Sequence, residues 1–309
     1  MQRRGRLAVM LAALALLLTA CSGLSSDDEG SSGQPSGGAA KGEVRFGVVD
    51  FTEQVILTQI YGQVLQNAGY KVTYQKVASR ELADPALFSG KLDMLIEYAG
   101  SQLIYLKGEP SADADKVLSE LKTKLEPKQV TALDQAPMAD QNALTVTQAT
   151  ASKYNLKTIS DLAKVSGQLV FGGPPECRER DTCYKGLQTT YNAKFKSFES
   201  LNQGAIKYRA LINNQIQVAL SFTTDGIIAK ENLVVLQDDK GLFPADHAVP
   251  VVRNEYLSKA GDEFKNLVNK VSAAVTTEEI TGLNAKVDID NQDPDEVATQ
   301  WLKDKSLLS

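Results

Sequence analysis

The feature that most limits the possible folds is a regular alternation of short apolar segments with amphipathic helical segments. Residues 44–49 and 72–77 have the composition of strands. Between them, apolar side chains recur on one helical face from Val55 to Leu65, and Gly69 follows as a helix stop. Strands that alternate with helices in this way predict helices packed on a largely parallel sheet. The sequence therefore predicts the α/β class.

One stretch of this pattern ends in polar and aromatic groups. Residues 92–96 are apolar apart from Asp93, and they lead through Glu97 to Tyr98 and Ser101. Ligands bind at strand ends in open α/β sheets. We therefore expect Tyr98 and Ser101 at the mouth of a cleft. The alternative is that Tyr98 only packs in the core.

The helix after the first strand is predicted to begin at the same cleft. Asp50 is the expected N-cap, with Glu53 three residues later. The free N–H groups near Thr52 would then face the cleft, an arrangement that suits an anion. A helix start without any ligand is the alternative.

The first 42 residues predict a targeting signal and a flexible tether rather than a folded domain. Residues 1–6 contain three arginines, residues 7–18 are an unbroken apolar run, and Leu18-Thr19-Ala20-Cys21 resembles the lipobox of bacterial lipoproteins. Residues 22–42 are rich in Ser, Gly and Asp. We predict a lipoprotein signal peptide over 1–20, lipidation of Cys21, and a lipid-anchored flexible linker over 21–42. The protein would then lie on the extracytoplasmic face of the cell membrane; a plain signal peptide with a chance cysteine is the alternative.

Charge and residue usage argue against several function classes. The formal net charge is −5 and no basic run follows the N-terminus, so a nucleic-acid partner is not expected. The single histidine, His247, leaves little room for a zinc cluster or a Ser-His-Asp triad. Carboxylates such as Glu53, Glu97 and Asp225 do not by themselves define a reaction. We expect no enzyme, no cofactor and no metal.

Cys177 and Cys183 enclose five residues. In an exported protein such a close pair predicts a disulfide that closes a loop. A metal site is the weaker alternative, because no further cysteine or nearby histidine completes a ligand set. In the chain-entropy model so short a loop adds at most about 2–3 kcal/mol, so its expected effect is on loop shape.

The second half of the chain repeats the pattern of a strand followed by a polar turn. Residues 216–222 predict a buried strand followed by Thr223, a polar loop over 238–246 returns the chain, and residues 248–252 predict the next strand. We therefore predict two lobes joined by two crossings. Lobe 1 comprises 43–141 plus 247–309, and lobe 2 comprises 142–246.

Four segments in this order resemble the substrate-binding proteins of ABC importers for glycine betaine, choline and related osmoprotectants. They are Phe51-Thr52-Glu53-Gln54, Glu97-Tyr98-Ala99-Gly100-Ser101, Thr224-Asp225-Gly226, and Asp238-Asp239-Lys240 with Phe243-Pro244. The resemblance implies a two-lobed, type II periplasmic binding protein (Venus flytrap) with two crossover strands. It also implies a small-molecule solute between the lobes and delivery to ABC permease subunits with a cytoplasmic ATPase. Such proteins are usually monomeric.

The family holds quaternary ammonium in a box of tyrosines, by attraction of the cation to ring faces. Tyr98 matches one box tyrosine and Ser101 a ligand-facing threonine, whereas Phe222, Asn142 and Asp246 fall where further tyrosines are expected. Asp140 and Arg180 match other family ligand positions, and Thr52 and Thr223 stand at predicted cleft turns. The predicted ligand-binding residues are Tyr98, Ser101, Phe222, Asp140, Asn142, Asp246, Arg180, Thr52 and Thr223.

The incomplete box leaves more than one ligand class open. The first prediction is an extracytoplasmic protein that binds a quaternary ammonium osmoprotectant such as glycine betaine or choline. The alternative keeps the fold and the transport role but takes a phenolic, sugar-like or other polar solute. A sensory or structural lipoprotein that binds another protein is a further possibility.

Overall fold

The structure is a computed structural model that describes residues 41–109, 111–202 and 204–308. Its strands form two five-stranded sheets, with the orders β2-β1-β3-β10-β4 and β7-β6-β8-β5-β9. The strands are β1 Glu43–Val49, β2 Lys71–Val77, β3 Met94–Tyr98, β4 Val130–Ala132, β5 Asn142–Val146, β6 Val170–Gly173, β7 Ser197–Ser200, β8 Val218–Phe222, β9 Val234–Leu236 and β10 Ala248–Arg253. The two sheets and their helices confirm the predicted α/β class.

Helices cover the sheets and form most of the C-terminal part of the chain. They are α1 Thr52–Asn67, α2 Arg80–Phe88, α3 Ala99–Tyr105, α4 Ala114–Leu125, α5 Gln148–Tyr154, α6 Ile159–Val165, α7 Tyr184–Tyr191, α8 Ala205–Ile212, α9 Ile227–Lys230, α10 Asn254–Ala274, α11 Thr277–Asp288 and α12 Pro294–Asp304. A break interrupts α10 at Gly261, whose φ of 75° is readily adopted by glycine. Asp293 caps α12 and Pro294 follows it, as helix-start preferences favour.

Each sheet contains one strand that runs against both of its neighbours. In the first sheet β1 is parallel to β2 and β3, whereas β10 is antiparallel to β3 and β4. In the second sheet β6 is parallel to β7 and β8, whereas β5 is antiparallel to β8 and β9. The chain therefore leaves the first sheet after β4, builds the second, and returns to insert β10 between β3 and β4.

Both faces of the first sheet are buried, and this explains the nearly continuous apolar sequence of β3. Every residue of β3 is buried. Ile56 and Ile60 of α1 pack with Phe264 on one face, and Leu87 packs with Leu103 on the other. A sheet covered on both sides reads as an apolar run rather than an alternating one. The end of β3 is thus packed on both faces.

The two connections between the sheets run side by side. The Asp140 N–H donates to the Asp246 carbonyl at 2.9 Å, and Ala139 forms an isolated antiparallel bridge with His247. The carboxyl ends of β3 and β8 lie close to this pair of segments, because Tyr98 pairs with Ala248 and the Thr223 N–H donates to the Gln141 carbonyl. Two aspartates and two strand ends are thereby brought to one place.

The start of α1 differs from the prediction. Phe51, not Asp50, is the N-cap residue, and it makes no side-chain capping hydrogen bond. The carboxylate of Glu53 does not fold back onto the helix start, because it is bound in a buried polar cluster instead. The predicted capping by Asp50 is therefore wrong.

The predicted signal peptide, the lipidation site Cys21 and most of the predicted linker lie outside the described residues. In the part of the chain that the structure describes, every helix is too short or too polar to traverse a bilayer.

Candidate functional site

A cavity of about 280 Å³ is lined by residues of both sheets and of their connecting segments. Side chains from both sides line it. Its walls include Val49, Asp50, Phe51, Gln54, Arg80, Glu97, Tyr98, Ser101, Asp140, Asn142, Glu176, Arg180, Phe222 and Asp246. The predicted cleft at the end of β3 is therefore present, and Tyr98 lines it while only 8% exposed.

Three rings form one wall of the cavity. Phe51 lies between Tyr98 and Phe222, with ring centroids 6.4 Å from Tyr98 and 5.6 Å from Phe222. The interplanar angles are 25° and 29°, so the rings are stacked rather than arranged around a central space. The negative face of an aromatic ring attracts a cation. The wall offers such a surface from one side of the cavity.

The Tyr98 ring is held in place by a buried polar cluster behind it. Its hydroxyl donates to Glu53 Oε1 at 2.5 Å. The other oxygen of Glu53 accepts from Thr224 Oγ1 at 2.5 Å and from Asn284 Nδ2 at 2.8 Å. Burial raises the pKa of Glu53, while these hydrogen bonds oppose the rise. Because the donors come from three separate parts of the chain, the cluster joins the first sheet region to the turn after β8.

Asp246 is a buried carboxylate at the cavity wall, fixed by Ser101. The Ser101 N–H donates to Asp246 Oδ1 at 2.9 Å, and Ser101 Oγ donates to Oδ2 at 2.5 Å. Burial raises the pKa of Asp246 from 3.8 to about 6, against the lowering effect of these bonds and of the positive Arg80. Most of this carboxyl is therefore ionised at neutral pH and protonates under mildly acidic conditions.

Asp140 is the second buried aspartate on the wall. Its Oδ1 accepts from Thr223 Oγ1 at 3.1 Å and from the Thr224 N–H at 3.2 Å. Burial raises its pKa well above the usual range, and the negative charges of Glu53 and Asp225 add to the effect. A cation in the cavity would favour the ionised form of Asp140, since an opposite charge stabilises a buried carboxylate.

Both arginines that line the cavity are paired with glutamates. Arg80 Nε donates to Glu97 Oε2 at 2.8 Å, and the two side chains are only 12% and 3% exposed. Arg180 donates to Glu81 from Nε at 2.9 Å and from Nη2 at 3.1 Å. Their positive charges are thus compensated within the protein, and the lining also carries the carboxyl groups of Asp50, Asp140, Glu176 and Asp246.

Arg180 is carried on the loop closed by the Cys177–Cys183 disulfide, which confirms the predicted pairing. Both cysteines are buried, and the side-chain amide of Asn142 donates to the Thr182 carbonyl at 2.9 Å. The disulfide and this hydrogen bond together fix the loop against β5. Loop shape therefore determines where the guanidinium reaches the cavity.

The family model for the substrate-binding domain of ABC-type glycine betaine transport systems matches residues 42–304. The chain belongs to this family. It is 34% identical over 273 residues to the carnitine transport binding protein OpuCC of Listeria monocytogenes, covering 86% of this chain and 88% of that protein. It is 33% identical over 284 residues to the glycine-betaine-binding protein of Pseudomonas aeruginosa, with 88% and 91% covered. A crystal structure of a glycine betaine/carnitine/choline ABC transporter protein matches with a TM-score of 0.67 at 29% identity, covering 86% of this chain and all of that one.

Membership confirms the predicted two-lobed binding-protein fold and the role of the chain as a solute-binding component of an ABC importer. The family is one of extracytoplasmic transport proteins rather than enzymes. Within the described ranges, histidines, cysteines and carboxylates form no group of three or more that could hold a metal ion.

The structure brings seven of the nine predicted ligand-binding residues of this family member to the cavity. They are Tyr98, Ser101, Phe222, Asp140, Asn142, Asp246 and Arg180. The other two do not line it: Thr52 Oγ1 donates to Asp288 at 2.5 Å, and Thr223 Oγ1 supports Asp140 from behind. Ligand contact by any of the nine stays a prediction.

Sequence reasoning missed several lining residues, among them Phe51, Gln54, Arg80 and Glu97. Phe51 and Gln54 lie within a segment that carries the family resemblance, so that segment could have identified them. Glu97 lies in a second such segment, whereas Arg80 gave no local signal, because its pairing with Glu97 depends on how α2 packs beside β3. In the structure Glu97 compensates the buried charge of Arg80.

Proposed function

We propose that this protein captures a small quaternary ammonium solute outside the cytoplasm and delivers it to the permease of an ABC importer. The observation that carries the proposal is the acidic cavity with a stacked aromatic wall of Phe51, Tyr98 and Phe222. An organic cation gains attraction from ring faces and from ionised carboxylates in the same enclosed space.

The chemistry of the wall favours a cation over the other solute classes considered. A phenolic or sugar-like solute needs hydrogen-bond partners with free capacity. Asp140 and Asp246 keep some acceptor capacity beside the two protein hydrogen bonds that each accepts, but an ionised carboxylate also attracts a cation by its charge, which a neutral solute does not use. Carnitine and glycine betaine, after which the relatives are named, are both quaternary ammonium compounds.

Calorimetric titration of the full-length protein with glycine betaine, choline, carnitine and proline betaine tests the proposal. We expect saturable binding of at least one of these compounds. Phe222→Ala should weaken it by about two- to thirtyfold, since one ring face adds about 0.5–2 kcal/mol to cation binding. Tyr154→Ala is the matched control, because Tyr154 is also half-buried but lies outside the cavity. Absence of binding across the whole panel would rule the proposal out.

The membrane anchor is part of the same proposal. The lipobox-like residues 18–21 support lipidation of Cys21, with residues 22–42 as a tether that lets the binding domain reach the permease. Cys21→Ala should move the protein from the membrane fraction to the soluble fraction. Continued membrane association of that variant would contradict the anchor.

Solute capture is proposed to occur by closure of two lobes, 43–141 plus 247–309 and 142–246, in a monomer. The paired connections near Asp140 and Asp246 support a hinge there, because few chain segments pass between the two sheets. Small-angle scattering with and without the bound solute should record a decrease in the radius of gyration of a monomer. An unchanged radius, or a dimer, would contradict this part.

A further inference from the structure

Arg180 reaches the cavity with its guanidinium already bound by a glutamate of the protein. We propose that Glu81 is a specificity-determining residue, because it occupies the Arg180 fork that a solute carboxylate would use. A zwitterionic solute must then displace Glu81, whereas a cation without a carboxylate leaves the pair intact. This inference rests on the proposed function. It names the residue that discriminates between quaternary ammonium solutes with and without a carboxylate.

The geometry of the pair is that of carboxylate recognition. Arg180 Nε and Nη2 donate to the two different oxygens of Glu81, at 2.9 and 3.1 Å. Parallel bonds of this kind fill one edge of the guanidinium and are the strongest that arginine makes with a carboxylate. Glu176 lies further off, with Oε1 3.9 Å from Nη2. Arg180 lines the cavity and Glu81 does not, so the guanidinium is the group that a bound carboxylate would need.

Exposure distinguishes this pair from the other arginine pair of the cavity. The Glu81 and Arg180 side chains are 38% and 27% exposed, against 3% and 12% for Glu97 and Arg80. A half-exposed glutamate that leaves its partner is hydrated at once, whereas separating a buried pair strands an uncompensated charge. Exchange with a solute is therefore feasible at Arg180 and strongly opposed at Arg80.

The pair also joins two parts of the chain across the cavity. Glu81 lies in α2, next to the first sheet, and Arg180 lies on the disulfide loop beside the second. Burial alone would raise the pKa of Glu81, but the Arg180 hydrogen bonds and charge lower it to about 2. Glu81 is thus ionised throughout the neutral range and competes with a solute carboxylate as an equal charge.

The test compares choline with glycine betaine, which share the trimethylammonium group and differ in a hydroxymethyl against a carboxylate. Both are titrated calorimetrically into the full-length wild type and Glu81→Gln. The measured quantity is the ratio of the two dissociation constants, because any general effect on closure cancels in it. Glu81→Gln should shift this ratio toward betaine by about three- to tenfold, the range expected for a partly exposed charge-assisted pair.

Two further variants make the test specific. Asp181→Asn also removes one negative charge, from the loop that carries Arg180, and it loosens contacts with Lys107 and Lys185 without removing the partner of Arg180; the ratio should not change. In an Arg180→Gln background, Glu81→Gln should also leave the ratio unchanged, because the guanidinium for which Glu81 and the solute carboxylate compete is absent. Thermal unfolding of each variant verifies that it is folded.

The outcomes separate the inference from the function on which it rests. An unchanged betaine-to-choline ratio in Glu81→Gln overturns the inference while solute binding stands. An equal shift in the Asp181→Asn control also overturns it, since loop charge would then be the cause. If neither the wild type nor any variant binds either compound, the proposed function fails and the inference fails with it.

Discussion

Asp246→Asn should stabilise the folded protein at neutral pH and, at the same time, weaken its binding of a cation. The substitution keeps the shape of the side chain. An asparagine oxygen can still accept from the Ser101 N–H, and its amide can donate to Ser101 Oγ, so both contacts of Asp246 have replacements. What is lost is the buried negative charge, only 4% exposed, that lines the cavity.

The size of the effect follows from the raised pKa of this carboxyl. Burial raises the pKa of Asp246 from 3.8 to about 6 in the folded protein, with Glu97 adding to the rise and Arg80 opposing it. Between these values the folded protein binds more protons than the unfolded chain, so the wild type loses stability as the pH rises through this window. A rise of this size corresponds to about 3 kcal/mol. Asparagine does not titrate, so the gain of the variant should be near zero at about pH 4 and near its maximum at about pH 7.5.

Urea unfolding at a series of pH values measures this difference. The free energy of unfolding of Asp246→Asn minus that of the wild type should grow by about 2–3 kcal/mol from about pH 4 to about pH 7.5. Asp262→Asn removes an exposed carboxyl elsewhere and should show little pH dependence in the same difference. A difference that stays flat, or that falls with rising pH, would refute the argument that burial of Asp246 costs stability. Cation affinity, measured in parallel, should decrease in the variant at neutral pH.

Three further substitutions test the contacts around the cavity. Glu97→Gln should lower the free energy of unfolding by about 3–5 kcal/mol in urea, because it removes the charge of the carboxylate that pairs directly with buried Arg80. Tyr98→Phe should lower it by about 1–3 kcal/mol, since buried Glu53 loses a donor, while the ring face for the solute remains. Cys177→Ser should cost about 2 kcal/mol in thermal unfolding, the value expected for so short a disulfide loop, and should weaken solute binding through Arg180.

Controls exist for each of the three. Glu263→Gln breaks an exposed ion pair and should cost less than about 1 kcal/mol, so an equally small loss in Glu97→Gln would mean that the Arg80 pair is not desolvated. Tyr154→Phe removes a hydroxyl outside the cavity. If it lowers the free energy of unfolding as much as Tyr98→Phe does, the hydrogen bond to Glu53 does not account for the loss in Tyr98→Phe. The reduced wild type should show the same loss of thermal stability and of solute affinity as Cys177→Ser. A difference between the two would mean that the introduced serine, and not the missing disulfide, causes the effect.

Local pattern was sufficient for most of the fold. The apolar run of β3 and the amphipathic face of α1 both appear near their predicted positions. Burial of one face gives the apolar residues of a helix or strand a regular spacing. That spacing can be recognised in the sequence of the segment alone, without knowing which segments pack against it. The strand Ser197–Ser200 had no such signal, because it lies at a sheet edge with two of its four residues exposed.

The outline of the site was predicted from the sequence, but the contacts between its residues were not. Tyr98, Ser101 and Asp246 do line one cavity, but Ser101 and Asp246 were expected to face a solute separately, whereas they bind each other. Asp50 was assigned to a helix cap and lies on the cavity wall instead. A residue type indicates which interactions a side chain can make, but not which partner the fold places in contact with it.

By itself the sequence determined the α/β class, the membership in a family of solute-binding proteins, and the pairing of two cysteines six positions apart. Only the tertiary structure decided which charges are compensated: Glu81 meets Arg180 across 99 residues, and Ser101 meets Asp246 across 145. The physical reason is the separation along the sequence over which each feature is determined. Periodicity and short spacings reflect burial of neighbouring residues, whereas an ion pair or hydrogen bond depends on where distant segments cross, which no local pattern encodes.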